Sequence, residues 1–282
     1  FTAIGFAEFT NVLLPVDLPQ PVLVIGVLLA FVLLNLLGVT LVTTVQLVMV
    51  AAILVGGATF VVPGLFEMDV ANFQPLFPEG AEAFITAVVA MFIPFQGYTM
   101  IVELGEELED PVRNIPRVLV LGLGLAFLLS LLLVVVFAGL DRYDVLAGYE
   151  TGGVARAATD YISPAVGITV AVAAILGAFT TLNAMITSYS RTLMRAGRDE
   201  VFSKRLARLS DRTQIPHNAV IALGVPPLLL APFELPLVTI SILLAMSMLF
   251  STFVTAFALW NLPKRFPGAY QSSVYRLPMP VL

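Results

Sequence analysis

The chain has 282 residues, of which 59% are hydrophobic and 12% charged, with a mean hydropathy of +0.98 and a formal net charge of −5. These values exclude a soluble globular domain and predict a chain whose surroundings are mostly lipid. The absence of cysteine excludes disulfides and thiolate metal centres.

Phe1–Leu14 reads as the outer end of a span that begins before Phe1, so the chain is expected to be a fragment of a longer protein. Pro15–Pro21 is a turn. Apolar runs follow at Val22–Leu37, Val39–Val62, Ala83–Val102, Val118–Leu140, Val166–Ile186 and Leu237–Trp260. Most approach the roughly 20 residues that a helix needs to cross a bilayer. A seventh run, Asn218–Ala231, is shorter and carries Pro226 and Pro227; it is read as a kinked span, with a re-entrant segment as the alternative. Pro63–Glu82 is expected to be an outer loop and Asp110–Pro116 a proline-bounded inner turn. Asp141–Pro164 is a long outer segment with a short helix near Gly153–Tyr161. In Arg191–Leu209, Met194, Val201, Phe202, Leu206 and Leu209 recur at helical spacing among basic residues, which predicts an amphipathic helix on the headgroups or a moving gate element.

Charge sets the orientation. With Arg113 and Arg117 on the cytoplasmic side, alternation puts Arg191, Arg195, Arg198, Lys204, Arg205, Arg208, Arg212, Lys264, Arg265 and Arg276 there too, leaving Arg142 and Arg156 outside. This is the positive-inside asymmetry. Acidic residues such as Glu67, Asp69, Glu79, Asp141, Asp144, Glu150 and Asp160 collect in the outer loops.

The most informative stretch is Phe92–Asp110, FIPFQGYTMIVELGEELED. It starts as a membrane run and meets Pro94 and Gly97 near its middle. Proline removes a ladder N–H, glycine weakens a helix, and in hydrocarbon each freed backbone group needs another partner. A discontinuous helix is therefore expected, its free carbonyls suited to an ammonium group. Thr99 is expected to cap the second half-helix, with Phe92, Phe95, Gln96 and Tyr98 around the break. A bulky residue at Gly97 should fill the space beside it. The plainer alternative is a proline kink packed against neighbouring helices.

Three longer matches, FIPFQGYTMIVELGEELEDPVRNIPR at 92–117, TLNAMITSYSRTLMRAGRDEVF at 181–202 and TQIPHNAV at 213–220, carry a resemblance, with GFAEF at 5–9 and NLLGV at 35–39 beside them. On these residues the chain resembles the amino-acid permeases of the amino acid–polyamine–organocation superfamily. The resemblance implies an all-α polytopic membrane protein with the leucine-transporter inverted-repeat fold, incomplete here. Residues 1–62 would hold the end of the third helix and the fourth and fifth. Residues 83–262 would form the second repeat, sixth to tenth helices, and 263–282 a cytoplasmic connection. It further implies a secondary transporter of amino acids in the cytoplasmic membrane, not an enzyme, with the substrate at Phe92, Pro94, Phe95, Gln96, Gly97, Tyr98 and Thr99. Pro94 departs from the small residue common in relatives, and Thr99 stands where many carry an acid. The second departure favours neutral substrates.

Thr180, Thr181 and Asn183 lie in an apolar run, and the two threonines resemble the hydroxyl pair of sodium-coupled members, which makes them candidate sodium ligands; back-bonded packing hydroxyls are the alternative. No lysine occurs in Val39–Val62, where a proton-coupled subclass has one, so H+ is the less favoured coupling ion. Glu103, Glu106 and Glu107 share a helical face and could pair with Arg191 or Arg195 as a cytoplasmic gate, or simply be solvated. His217, the only histidine, reads as a surface residue. Gly122 and Gly124 follow no strand and are not a nucleotide loop. No cofactor, nucleic-acid partner or catalytic motif is expected; the partners are a small amino acid and the bilayer. Competing readings are a transporter of the same fold for polyamines or inorganic ions, and a channel or non-transporting membrane subunit.

Overall fold

The computed structural model describes residues 1–38, 43–91, 95, 97–103, 110–149, 152–211 and 213–272. Among these residues all regular structure is helical, as expected. The first elements are α1 (Thr2–Leu13), α2 (Gln20–Leu36), α3 (Thr43–Glu67), α4 (Gly80–Met91), the short α5 (Tyr98–Glu103) and α6 (Pro111–Leu140). The short α7 (Tyr143–Ala147) and α8 (Gly153–Ala157) precede α9 (Pro164–Arg198), α10 (His217–Leu230), α11 (Leu237–Arg265) and α12 (Pro267–Ser272). Of the described helices α3, α6, α9 and α11 are long and apolar enough to cross a membrane, and α2, α4 and α10 are shorter apolar helices. The chain is an integral, multi-pass membrane protein.

The chain divides into two compact units, one of residues 1–80 and 125–235, the other of residues 81–124 and 236–282. The first is organised around α9, which packs against α1, α2, α3, α8 and α10. One part of its core joins Phe60 and Val61 of α3, Val136 and Leu140 of α6, the alanines of α8, and Val170 and Ala171 of α9. The other joins Ala3 and Ala7 of α1, Val24, Val27, Leu28 and Phe31 of α2, and Leu182 of α9. Phe179 closes it, its ring 5.4 Å from those of both Phe6 and Phe31. Lipid is as apolar as these side chains, so close fit and not escape from water holds such helices together. Gly56 illustrates the fit: a Cβ added there would lie 2.3 Å from Cβ of Ala173.

Three expectations about element ends are corrected. Pro63 does not end its helix, for α3 runs on to Glu67. Proline there removes one ladder bond, while Phe60 and Val61 just before it are buried and hold the backbone in place. Residues 110–116 are not a turn, because α6 begins at Pro111, the first helical position, where the missing N–H has no intrahelical partner to lose. Finally, Arg191–Leu209 is not one amphipathic helix. α9 continues straight from the apolar run to Arg198, and the chain then turns at Glu200, whose φ is +60°. The N–H groups of Val201 and Phe202 both close on the Ala196 carbonyl, at 3.0 and 3.2 Å. A short 3-10 turn, Lys204–Ala207, folds back on α9 at Gly197, where a Cβ would come within 3.0 Å of the Ala207 nitrogen. The short helix expected near Gly153–Tyr161 is present as α8 and the π-turn that follows it, Ala158–Ile162.

Candidate functional site

The expected interruption is present. α4 ends at Met91, α5 starts at Tyr98, and Gly97 between them has φ +99°, a backbone through which no α-helix passes. Its carbonyl accepts the Met100 N–H at 3.0 Å and so opens the first turn of α5. One sequence expectation changes here. Thr99 is already inside α5, one residue past its start, and is therefore not the capping residue. The positive φ of Gly97 is a backbone requirement in its own right, and a Cβ added to it meets nothing within 4 Å among the described residues. Phe95 and Gly97 are partly buried and Tyr98 is 36% exposed. Phe92, Pro94 and Gln96 lie outside the described residues.

Thr180 and Thr181 sit half-buried in α9. The Thr180 hydroxyl donates to the Gly177 carbonyl at 2.9 Å, the back-bonded state of a hydroxyl in an apolar helix, and keeps its lone pairs for a further donor or a cation. Among the described residues no cluster of His, Cys, Asp or Glu could hold a metal ion. Glu103 is the last residue of α5, and Glu106 and Glu107 lie outside the described residues. Arg191 and Arg195 are exposed near the end of α9, and Arg195, in the last turn, complements the helix dipole.

The same helix carries further polar groups, of which the sequence reading marked Asn183 beside Thr180 and Thr181 and passed over Thr187 and Ser190. Thr187 donates to the Asn35 side-chain oxygen at 3.1 Å, while the Asn35 amide donates to the Phe31 carbonyl at 2.9 Å, tying α9 to α2. Ser190, 3% exposed, donates to the Thr187 carbonyl at 3.0 Å. Asn183, 6% exposed, lies on the same stripe. The available signal was the spacing of Thr180, Asn183, Thr187 and Ser190, which repeats along one helical face.

A second polar group gathers between α6 and α9. Tyr161 donates its phenol to Asp141, and Tyr149 donates to Asp160 at 2.8 Å. The Tyr161 hydroxyl, helped by the Arg142 N–H, holds the Asp141 carboxyl below the usual carboxylate range, and the same bond pushes the Tyr161 phenol up. Burial, then the bond to Asp160, raises Tyr149. Beside this group lies an open groove of about 470 Å³ lined by Asn11, Tyr149, Arg156, Thr159 and Asp160 among others.

A discontinuous helix between apolar segments recurs in secondary transporters. The sequence pattern of the family described as amino acid permease matches residues 2–281, nearly the whole chain. The chain belongs to this family, within the amino acid–polyamine–organocation superfamily. Among curated relatives, an uncharacterized transporter of Mycobacterium tuberculosis is 34% identical over 50% of this chain and 32% of its own length. The chloroplastic cationic amino acid transporter 9 of Arabidopsis thaliana is 27% identical over 61% of this chain and 30% of its own. The branched-chain amino acid permease BcaP of Lactococcus lactis is 24% identical over 79% of this chain and 49% of its own. The matched stretches thus cover about half or less of the length of these relatives.

Proposed function

We propose that the protein is a secondary active transporter that moves neutral amino acids across the cytoplasmic membrane by alternating access. The observation that carries this reading is the interruption at Gly97, φ +99°, inside an otherwise apolar helical segment of an amino acid permease chain. Broken membrane helices free backbone groups where they can bind a polar ligand, and the carbonyl end of the first half suits an amino acid's ammonium group. Phe92, Pro94, Phe95, Gln96, Gly97, Tyr98 and Thr99 are the proposed substrate-binding residues, their aromatic rings forming apolar walls. No acid occurs between Phe92 and Val102, which argues against cationic cargo. A cationic amino acid is the second reading, favoured by the name of the Arabidopsis relative.

Residues 1–62 and 83–262 are assigned to the two inverted repeats, and residues 263–282 to a cytoplasmic connection. Basic residues place the loop after α9 in the cytoplasm. Glu103, Glu106 and Glu107 with Arg191 and Arg195 form the inner gate, and sodium bound by the hydroxyls of Thr180 and Thr181 drives uptake. The test is uptake of labelled leucine, arginine and putrescine by the full-length protein in proteoliposomes, with sodium or choline outside at constant pH. Leucine uptake that requires sodium and is lost in Thr181→Ala is expected. Arginine or putrescine as the preferred cargo would refute the neutral reading. Uptake unchanged in choline would leave both threonines as packing residues.

A further inference from the structure

The segment that follows α9 is an ordered platform and not a loose loop. Its 3-10 turn rests on Gly197, the Ser203 side chain accepts the Arg205 N–H at 3.4 Å, and the Asn218 amide donates to the Arg205 carbonyl at 2.7 Å. That last bond sets the depth of the platform. Asn218 stands in the first turn of α10, and the buried Ala219 and Val220 that follow begin an apolar helix. Gly38, just beyond the apolar α2, packs against Thr213 and Ile215 of the same connection. The platform therefore lies level with the ends of two apolar helices, where headgroups stand.

Its surface pairs cations with bare apolar side chains. Val201 is 70% and Phe202 57% exposed, side by side after the turn at Glu200. Arg198, Arg205 and Arg208 of the same segment are exposed too. The acids on the same segment are Asp199, Glu200 and Asp211, and Glu200 is taken by Lys204 at 2.7 Å. Within Arg191–Asp211 six basic residues face these three acids, so the patch stays positive.

We propose that this platform binds anionic phospholipid of the bilayer the chain spans. Arg198, Arg205 and Arg208 hold the headgroup phosphates, and Val201 and Phe202 enter the acyl boundary. Guanidinium forks match phosphate oxygens, and exposed apolar side chains beside basic ones are the pattern of interfacial insertion. The proposal is independent of which substrate the permease carries.

The test is native mass spectrometry of the full-length, detergent-purified protein, delipidated and titrated with phosphatidylglycerol or phosphatidylcholine. Wild type is expected to retain phosphatidylglycerol in clear preference, each arginine contributing about fivefold. R198Q/R205Q/R208Q should lose the preference, the matching triple lysine variant should keep most of it, and Phe202→Ser should weaken retention of both lipids. Equal retention of both lipids by wild type overturns the proposal. So does undiminished phosphatidylglycerol binding by the glutamine variant, or a polyglutamate peptide that takes the site in place of lipid.

Discussion

Gly97 offers the sharpest test of how the break is built. At φ +99° an L-residue is held in a sparsely populated region, at a cost of about 1–3 kcal/mol. Taking about 2 kcal/mol, Gly97→Ala should lower the equilibrium ratio of broken to unbroken conformation about 30-fold, each 1.4 kcal/mol being tenfold. The cost is taken from the backbone alone, since an added Cβ meets nothing within 4 Å among the described residues. Asparagine tolerates positive φ better than alanine although it is larger. The expected order of uptake by full-length protein in proteoliposomes is Gly97, then Asn, then Ala, with Val lowest as a β-branched residue. Size-exclusion profiles should stay those of folded protein. If alanine outperforms asparagine, volume and not backbone governs the site, and the argument from φ is wrong.

Gly56→Ala should lower the thermal midpoint, the overpacking against Ala173 costing about 1–3 kcal/mol, and Ala173→Gly should restore it. A double-mutant cycle with Asn35→Ala and Thr187→Val should give a coupling of about 0.6 kcal/mol and at most about 1.7 in unfolding from detergent; additivity would mean that the bond contributes nothing. For Tyr161→Phe the sign follows from Asp141. Its folded carboxyl titrates below the ordinary value of about 4, so its stabilisation is present above that pH and lost as pH falls through the lower folded value. Without the phenol this acid-side loss should shrink, and a melting-temperature profile in acid that matches wild type would refute it.

The membrane helices were legible because hydropathy alone marks a segment that must satisfy its backbone internally. The break was legible for a related reason, since Pro94 and Gly97 fall where an unbroken ladder was otherwise expected. What the glycine does there was not legible. Room and backbone freedom call for the same residue in a sequence, and the positive φ, which shows the backbone requirement, is a conformation that no sequence pattern prints. Thr99 was misassigned as a cap because the helix start depends on where the left-handed residue falls, and glycine took that place. Hydrophobic spacing through Arg191–Leu209 suggested one helix, but spacing counts residues that face the same way and is blind to a single residue at φ +60°.

Least legible was the polar stripe of α9, and the reason is physical. Beside the Thr180 that the sequence did mark, Thr187 and Ser190 look like tolerated polar residues in an apolar run. Their partners depend on the register between helices, as with Asn35, 152 residues away from Thr187 in the chain. In lipid that register is fixed by close contacts such as Gly56 on Ala173, which are spread over the chain without a local signature. The contacts make α9 the helix against which the rest of its unit is assembled. A ligand bound by Thr180 and Thr181 would therefore act on the helix best placed to transmit its effect to α1, α2, α3 and α10. The Asn35–Thr187 bond, seven residues from Thr180 on the same stripe, is where such coupling to α2 would first be felt.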